Sequence, residues 1–316
     1  MFEKKSLRDA FGETLVELGV ENQKVVVLSA DLEDSTRTEL FKKRFPDRFF
    51  TLGIAEQDMV GTAAGLARMG FIPFVSSFAV FLTNQAYGII RMSCYNGLSI
   101  KFVATHAGLT VGEDGASAQS LEDIAIMRVL PGMKVIVPSD AVETRKVIRY
   151  IAAREGSYYV RLSRAEFPVV NNEDFRFEEG KGYVLSEGRD ATIIACGLMV
   201  YKAIMAKEIL KREGIECRVV NLSSIKPIDV ALIVDSARKT GCIVTAEEHQ
   251  LYGGMGSAVS EVLAKNYPVP QEFVAVMDSF GESGSPDELL FKYNLTENNI
   301  CGAVRKAIER KKYEKK

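Results

Sequence analysis

The sequence predicts an α/β protein with two doubly wound, mostly parallel-sheet domains, and three observations predict it. Short β-branched runs alternate with amphipathic, helix-length segments along nearly the whole chain, as βα units around a covered parallel sheet require. The chain has 316 residues, about twice a typical domain. A polar stretch that begins at Pro168 and holds the pair Asn171-Asn172 interrupts the alternation and reads as a linker. The expected division is a first domain over 1–167, a linker over 168–182 and a second domain over 183–316.

Taken in order, Leu7, Phe11, Leu15 and Leu18 recur at helical spacing and predict an amphipathic first helix. The run Val25 to Leu28 predicts a strand buried on both faces. A short strand at Phe49 to Leu52 leads through Gly53 into a helix that opens at Glu56, where the positive end of the helix dipole favours a carboxylate. Gly61, Ala63, Ala64, Gly65 and Ala67 make that helix narrow enough to pack closely on the sheet or on a second subunit. Strands near Ile72 to Val75 and Ile100 to Thr105 flank a helix near Val80 to Tyr95. After His106 comes a glycine-rich loop, then a helix to about Val129, the strand MKVIVP, a helix over Ala141 to Ala153 and the strand SYYVRLSR. Beyond the linker the series begins again with DATIIACG, CRVVNL, GCIVTAEE and FVAVMD as strands.

Composition removes several function classes. With 40 basic and 42 acidic residues the net charge is −2, so no global field favours nucleic acid or an anionic membrane. The five cysteines form no C-x-x-C pair and there are only two histidines, so no Cys/His metal site is expected. The cysteines sit mostly in apolar runs, as reduced buried thiols do, and the N-terminus has no apolar signal region. A cytoplasmic protein is the expectation. Met69 to Ile90 is free of charge, but Pro73, Ser76, Ser77, Thr83, Asn84 and Gln85 make it too polar for a membrane span.

Asp31, Glu56, His106 and Arg164 all fall at strand ends, and ligands of doubly wound sheets bind beyond the carboxyl ends of the strands. Phe78 and Phe81 lie three apart, on one face if helical. Arg8, Ser35, His106 and Arg164, if they met at one mouth, would suit a phosphate monoester. Gly253-Gly254-Met255-Gly256 precedes a helix, but its spacing is not G-x-G-x-x-G and the Walker lysine is absent, so no nucleotide is expected there.

The segments SADLEDS, GIAEQDMVG, PFVSSFAVF, ATHAGLTVGEDGASAQSLEDIAIMRVLPGMKVIVPSD, RLSR and EEHQLYGGMGSAV resemble the carboxyl-terminal two-thirds of a transketolase, its pyrimidine-binding domain followed by its C-terminal domain. The resemblance covers most of the chain. It implies thiamine diphosphate as cofactor and transfer of a two-carbon ketol unit between sugar phosphates. Glu56 would hydrogen-bond the cofactor's aminopyrimidine and activate it, Phe78 and Phe81 would pack around that ring, and Asp31 would lie near the cofactor. Arg8, Ser35, His106 and Arg164 match the positions that hold the sugar phosphate, with His106 also catalytic, and Asp114 matches one that contacts a substrate hydroxyl.

Two residues depart from the family pattern. Ala118 stands where many transketolases have a histidine, and Asn84 where some have a tyrosine. No GDG with a later Asn, the diphosphate and Mg²⁺ signature, occurs in the sequence. The resemblance therefore implies the C-terminal subunit of a split transketolase, in which an N-terminal subunit supplies the diphosphate and Mg²⁺ ligands, with self-association across a two-fold axis into a heterotetramer. Other readings are the β subunit of a 2-oxo-acid dehydrogenase, a 1-deoxyxylulose-5-phosphate synthase-like enzyme and a non-enzymatic interaction module. The motif VGEDG and the Arg8, Ser35, His106, Arg164 set argue against the dehydrogenase.

Overall fold

The computed structural model describes residues 2–313, so the last three residues of the expected second domain lie outside the described residues. Two larger sheets organise the chain. The first has the strand order Ser224–Lys226, Lys134–Ile136, Tyr158–Arg161, Lys101–Thr105, Ile72–Phe78, Val25–Ser29, Phe49–Thr51. All its pairings are parallel except that of Ser224–Lys226. Val25–Ser29 is buried at every position. Val25 and Val27 enter one hydrophobic core and Val26 and Leu28 the other, so both faces are covered and an uninterrupted apolar run is what the strand needs.

The second sheet has the order Gln271–Val276, Ile243–Gln250, Ala191–Ala195, Cys217–Asn221, Tyr183–Ser186. Only its edge strand Tyr183–Ser186 is antiparallel. Side-chain caps start several helices: Ser6 accepts from the Asp9 amide, Asp140 from Glu143 and Asp229 from Leu232, each meeting a donor that the helix leaves open.

The structure differs from the expectation in three places. The helix expected near Val80 to Tyr95 is two helices, Ala79–Gln85 and Tyr87–Tyr95, separated at Ala86 (φ −101°, ψ 7°). No proline marks that break in the sequence. Glu166–Pro168 pairs antiparallel with Lys4–Ser6, so the chain runs into the linker region as a strand. Ser224–Lys226, which the sequence assigns to the second domain, is the edge strand of the first sheet. Three-residue strands show too little alternation to be seen as strands in a sequence. Among the described residues no helix is long and apolar enough to cross a membrane.

The connection after Val25–Ser29 leads to Phe49–Thr51 on one side, and the one after Ile72–Phe78 leads towards Lys101–Thr105 on the other. Adjacent strands whose connections diverge open a crevice at their carboxyl ends. That switch point positions the site.

Candidate active site

A cleft of about 850 Å³ lies at the switch point, lined by Ala30, Asp31, Leu32, Ile54, Ala55, Glu56, Gln57, Asp58, Phe81 and Gln85. Its volume is of the size that holds a cofactor-sized ligand. Glu56 opens its helix, Glu56–Arg68, with no side-chain cap before it. It is only 6% exposed, and its Oε1 accepts the buried Ser77 hydroxyl at 3.0 Å. A buried carboxylate needs such a partner, and the bond fixes which oxygen remains for the cleft. Ser77 is the next-to-last residue of the strand Ile72–Phe78. Sequence reasoning missed it, although PFVSSFAVF contains it.

Asp31 stands two residues beyond the end of its strand, Val25–Ser29, and has φ +60°, and His106 directly follows its own with φ +55°. Left-handed backbone at a residue other than glycine is uncommon and concentrates at functional positions. The sequence places both residues at strand ends.

The aromatic residues join the two parts of the site. Phe81 lines the cleft. Behind it Phe78, buried, stacks on Phe81 with centroids 5.6 Å apart and on the His106 imidazole at 3.6 Å, with interplanar angles of 13° and 15°. Phe78 thus backs both the cleft and the imidazole. The His106 Nδ1 is 2.9 Å from the Thr105 hydroxyl. Burial, then the guanidiniums of Arg8 and Arg164, lower the His106 pKa to about 3, so the ring is neutral at physiological pH.

Arg8 and Arg164 therefore act on the same imidazole, and Ser35 is beside Arg8, whose Nη1 donates to the Ser35 carbonyl at 2.8 Å. The Nε of Arg8 is buried and has no partner. Burial and the neighbouring Arg37 lower the Arg8 pKa from its ordinary value. Arg164 Nη1 donates to the Val111 carbonyl at 2.6 Å and pairs with Glu113 at 3.3 Å and Asp114 at 3.7 Å. Short contacts thus join Arg8 to Ser35 and Arg164 to Asp114, and the charges of both guanidiniums reach the His106 ring.

Arg161, which follows the same strand pattern as Arg164 in the sequence, is only 4% exposed. Its Nε donates to Asp123 at 2.8 Å and its Nη2 to the Glu248 carbonyl at 2.9 Å, so it ties the two halves of the chain together. The glycine segment before the helix Met255–Asn266 is already occupied: the Glu247 carboxylate accepts from the Met255 and Gly256 amides at 2.7 and 2.8 Å. A carboxylate from the same chain takes the place an external anion would need. His249 Nδ1 bonds the Gln250 carbonyl at 2.8 Å, a structural role.

The same geometry has counterparts among known proteins. Residues 3–169 match the family model for the transketolase pyrimidine-binding domain and residues 180–300 that for the transketolase C-terminal domain. A putative transketolase C-terminal section of Methanocaldococcus jannaschii is 47% identical over 97% of this chain and 97% of its own length. A 6-deoxy-6-sulfo-D-fructose transketolase subunit of a Clostridium species is 39% identical over 98% of this chain and 97% of its own. A solved structure described as a split gene transketolase, an inactive beta4 tetramer, superposes with a TM-score of 0.90 at 52% identity, covering 98% of this chain and 100% of that one. Fold and cleft define a transketolase-type pair of α/β domains. The chain belongs to the transketolase family, and membership implies thiamine diphosphate as its cofactor.

Proposed function

We propose that the chain is the C-terminal subunit of a split transketolase, which moves a two-carbon ketol unit from a ketose phosphate to an aldose phosphate. The single observation that carries the reading is Glu56, a buried carboxylate held by Ser77 through one oxygen at the wall of the cleft that Phe81 also lines. These residues fit the pyrimidine end of thiamine diphosphate. Glu56 is the acceptor for a ring N–H, Phe81 supplies an apolar face, and Asp31 lines the same cleft. When bound, the cofactor supplies a carbanion-stabilising centre.

The rest of the work falls to this chain's side chains. Glu56 holds a proton at the ring nitrogen, and the buried setting makes that hydrogen bond stronger than it would be in water. Arg8 and Arg164 hold the anionic end of the sugar. Neutral His106 can donate or accept a hydrogen bond at a substrate oxygen without adding charge. Asp114 receives a sugar hydroxyl. Because one relative is named for a sulfonated fructose, the anionic sugar accepted here is to be sought among sulfonated as well as phosphorylated sugars.

The diphosphate and Mg²⁺ belong to a second chain on this reading. Among the described residues no group of three or more His, Cys, Asp or Glu side chains could hold a metal ion. The helix Glu56–Arg68 supports a partner at the mouth of the cleft. A Cβ added at Gly61 or Gly65 would meet nothing within this chain, and Ile54 beside the cleft is 86% exposed. Small residues with open space outside them permit close approach of another subunit. The N-terminal subunit and a two-fold copy of this pair are the proposed neighbours, as a heterotetramer.

The test is Glu56→Gln in the complex reconstituted with an N-terminal subunit, thiamine diphosphate and Mg²⁺. Loss of the carboxylate should lower kcat by about a hundredfold or more, the usual contribution of a general acid–base group. Turnover within about threefold of the unsubstituted complex would overturn the role of Glu56 and with it the reading.

A further inference from the structure

We infer that Glu248, a residue of the C-terminal domain, is a positioning residue for the loop 107–115, which presents Asp114 and the Val111 carbonyl to Arg164. The inference rests on the proposed reading of Arg164 and Asp114 as substrate ligands.

The loop has no sheet or long helix of its own to satisfy its backbone, so its polar groups must be met by tertiary partners. The Ala107 amide donates to the Leu162 carbonyl at 3.2 Å and the Gly108 amide to the Ser120 carbonyl at 2.8 Å. The Leu109 carbonyl accepts from Gln119 Nε2 at 3.2 Å, and the Val111 carbonyl accepts from Arg164. Between these, the Thr110 amide donates to Glu248 Oε1 at 2.6 Å and the Thr110 hydroxyl to Oε2 at 3.3 Å. This is the clamp with a carboxylate acceptor, and charge-assisted bonds are the stronger kind.

Glu248 is buried and reaches the loop from the end of the strand Ile243–Gln250. Its own carbonyl is held by Arg161, whose Nε is fixed by Asp123, so the carboxylate is aimed from a pinned backbone. Gly108 has φ +85°, and a Cβ there would run into the Glu248 carboxylate. The sequence keeps a glycine where the carboxylate must come close. Burial raises the Glu248 pKa, opposed by Arg161 and Thr110. An interface that needed only packing would do better with an apolar side chain here.

A second contact from the same domain supports the clamp. Gln119 also donates to the Glu282 carbonyl at 2.9 Å, and a Cβ at Gly115 would meet the Ser283 hydroxyl. Both ends of the loop therefore rest on the C-terminal domain.

The experiment compares Glu248→Ala with Glu248→Gln, in the full chain and in the complex with its N-terminal subunit, thiamine diphosphate and Mg²⁺. Glutamine keeps an acceptor oxygen for the Thr110 amide and alanine does not. In Glu248→Ala, hydrogen exchange at Thr110 and its loop neighbours should accelerate by about tenfold or more while the sheet strands keep their protection. KM for the aldose phosphate should rise by about tenfold with kcat changed by less than about threefold, and Glu248→Gln should restore most of the loss. Unchanged exchange at Thr110 in Glu248→Ala would overturn the inference. So would acceleration throughout both domains, or a fall in kcat that glutamine does not relieve. If the unsubstituted complex transfers no ketol group, the functional reading fails, and exchange at Thr110 in the chain alone still upholds or overturns the clamp.

Discussion

Protonating His106 should cost the folded chain stability as the pH falls below 6.5, by a margin that follows from the geometry. The imidazole is buried against Phe78, and Arg8 and Arg164 add to the burial in resisting a second proton. Its pKa falls from an ordinary 6.5 to about 3. The unfolded chain therefore binds a proton near pH 6.5 that the folded chain refuses until about pH 3. Stability is full above pH 6.5 and falls as the pH drops through that window, by on the order of 4 kcal/mol at its lower end, at about 1.4 kcal/mol per unit. Because the sequence has only two histidines, imidazole NMR resonances divide into His106 and His249, and His106→Gln assigns them. The His106 ring carbon should show no titration down to pH 4. Urea unfolding should lose stability with falling pH at a slope close to one proton, and His106→Gln should remove that slope. A His106 midpoint between pH 6 and 7 would refute the burial and the proximity of the two arginines together.

Other predictions follow from buried groups away from the cleft. Lys101 is fully buried, with its Nζ donating to Ser99 Oγ, the Arg154 carbonyl and the Gly156 carbonyl, and burial lowers its pKa from 10.5 to about 7. The unfolded chain holds that proton up to pH 10.5, so stability should rise as the pH climbs from 7 to 10. Lys101→Met should flatten the rise, and an unchanged urea profile in that variant would contradict it. Gly188 leaves no room for a side chain, because a Cβ would collide with the Cys217 carbonyl carbon and the Arg218 amide nitrogen. These are sheet backbone atoms that cannot step aside. Gly188→Ala should cost about 2 kcal/mol, as overpacking does, read as a lower urea midpoint with unchanged slope, and an unshifted midpoint would refute it.

Much of the fold was legible because each large strand announces itself. Val25 to Leu28 is apolar at successive positions, and the structure shows why: neighbouring side chains enter different cores. Glu56, Asp31 and His106 were legible through their place at strand ends, which a doubly wound sheet turns into a crevice. What stayed hidden depends on distance along the chain. Ser77 meets Glu56 across 21 residues, and Glu248 meets Thr110 across 138, with no spacing to show it. Arg161 reads as a surface charge until Asp123 and the Glu248 carbonyl are seen around it. The edge strand Ser224–Lys226 crosses from the second half of the chain to the first sheet and is too short to show a period.

The most direct test of the account mixes the chain, an N-terminal subunit, thiamine diphosphate and Mg²⁺ with xylulose 5-phosphate and ribose 5-phosphate. The account predicts ketol transfer with both chains present and none with either alone, because it assigns Glu56 and the diphosphate ligands to different polypeptides. No transfer by the mixture, or full transfer by this chain alone, would contradict it.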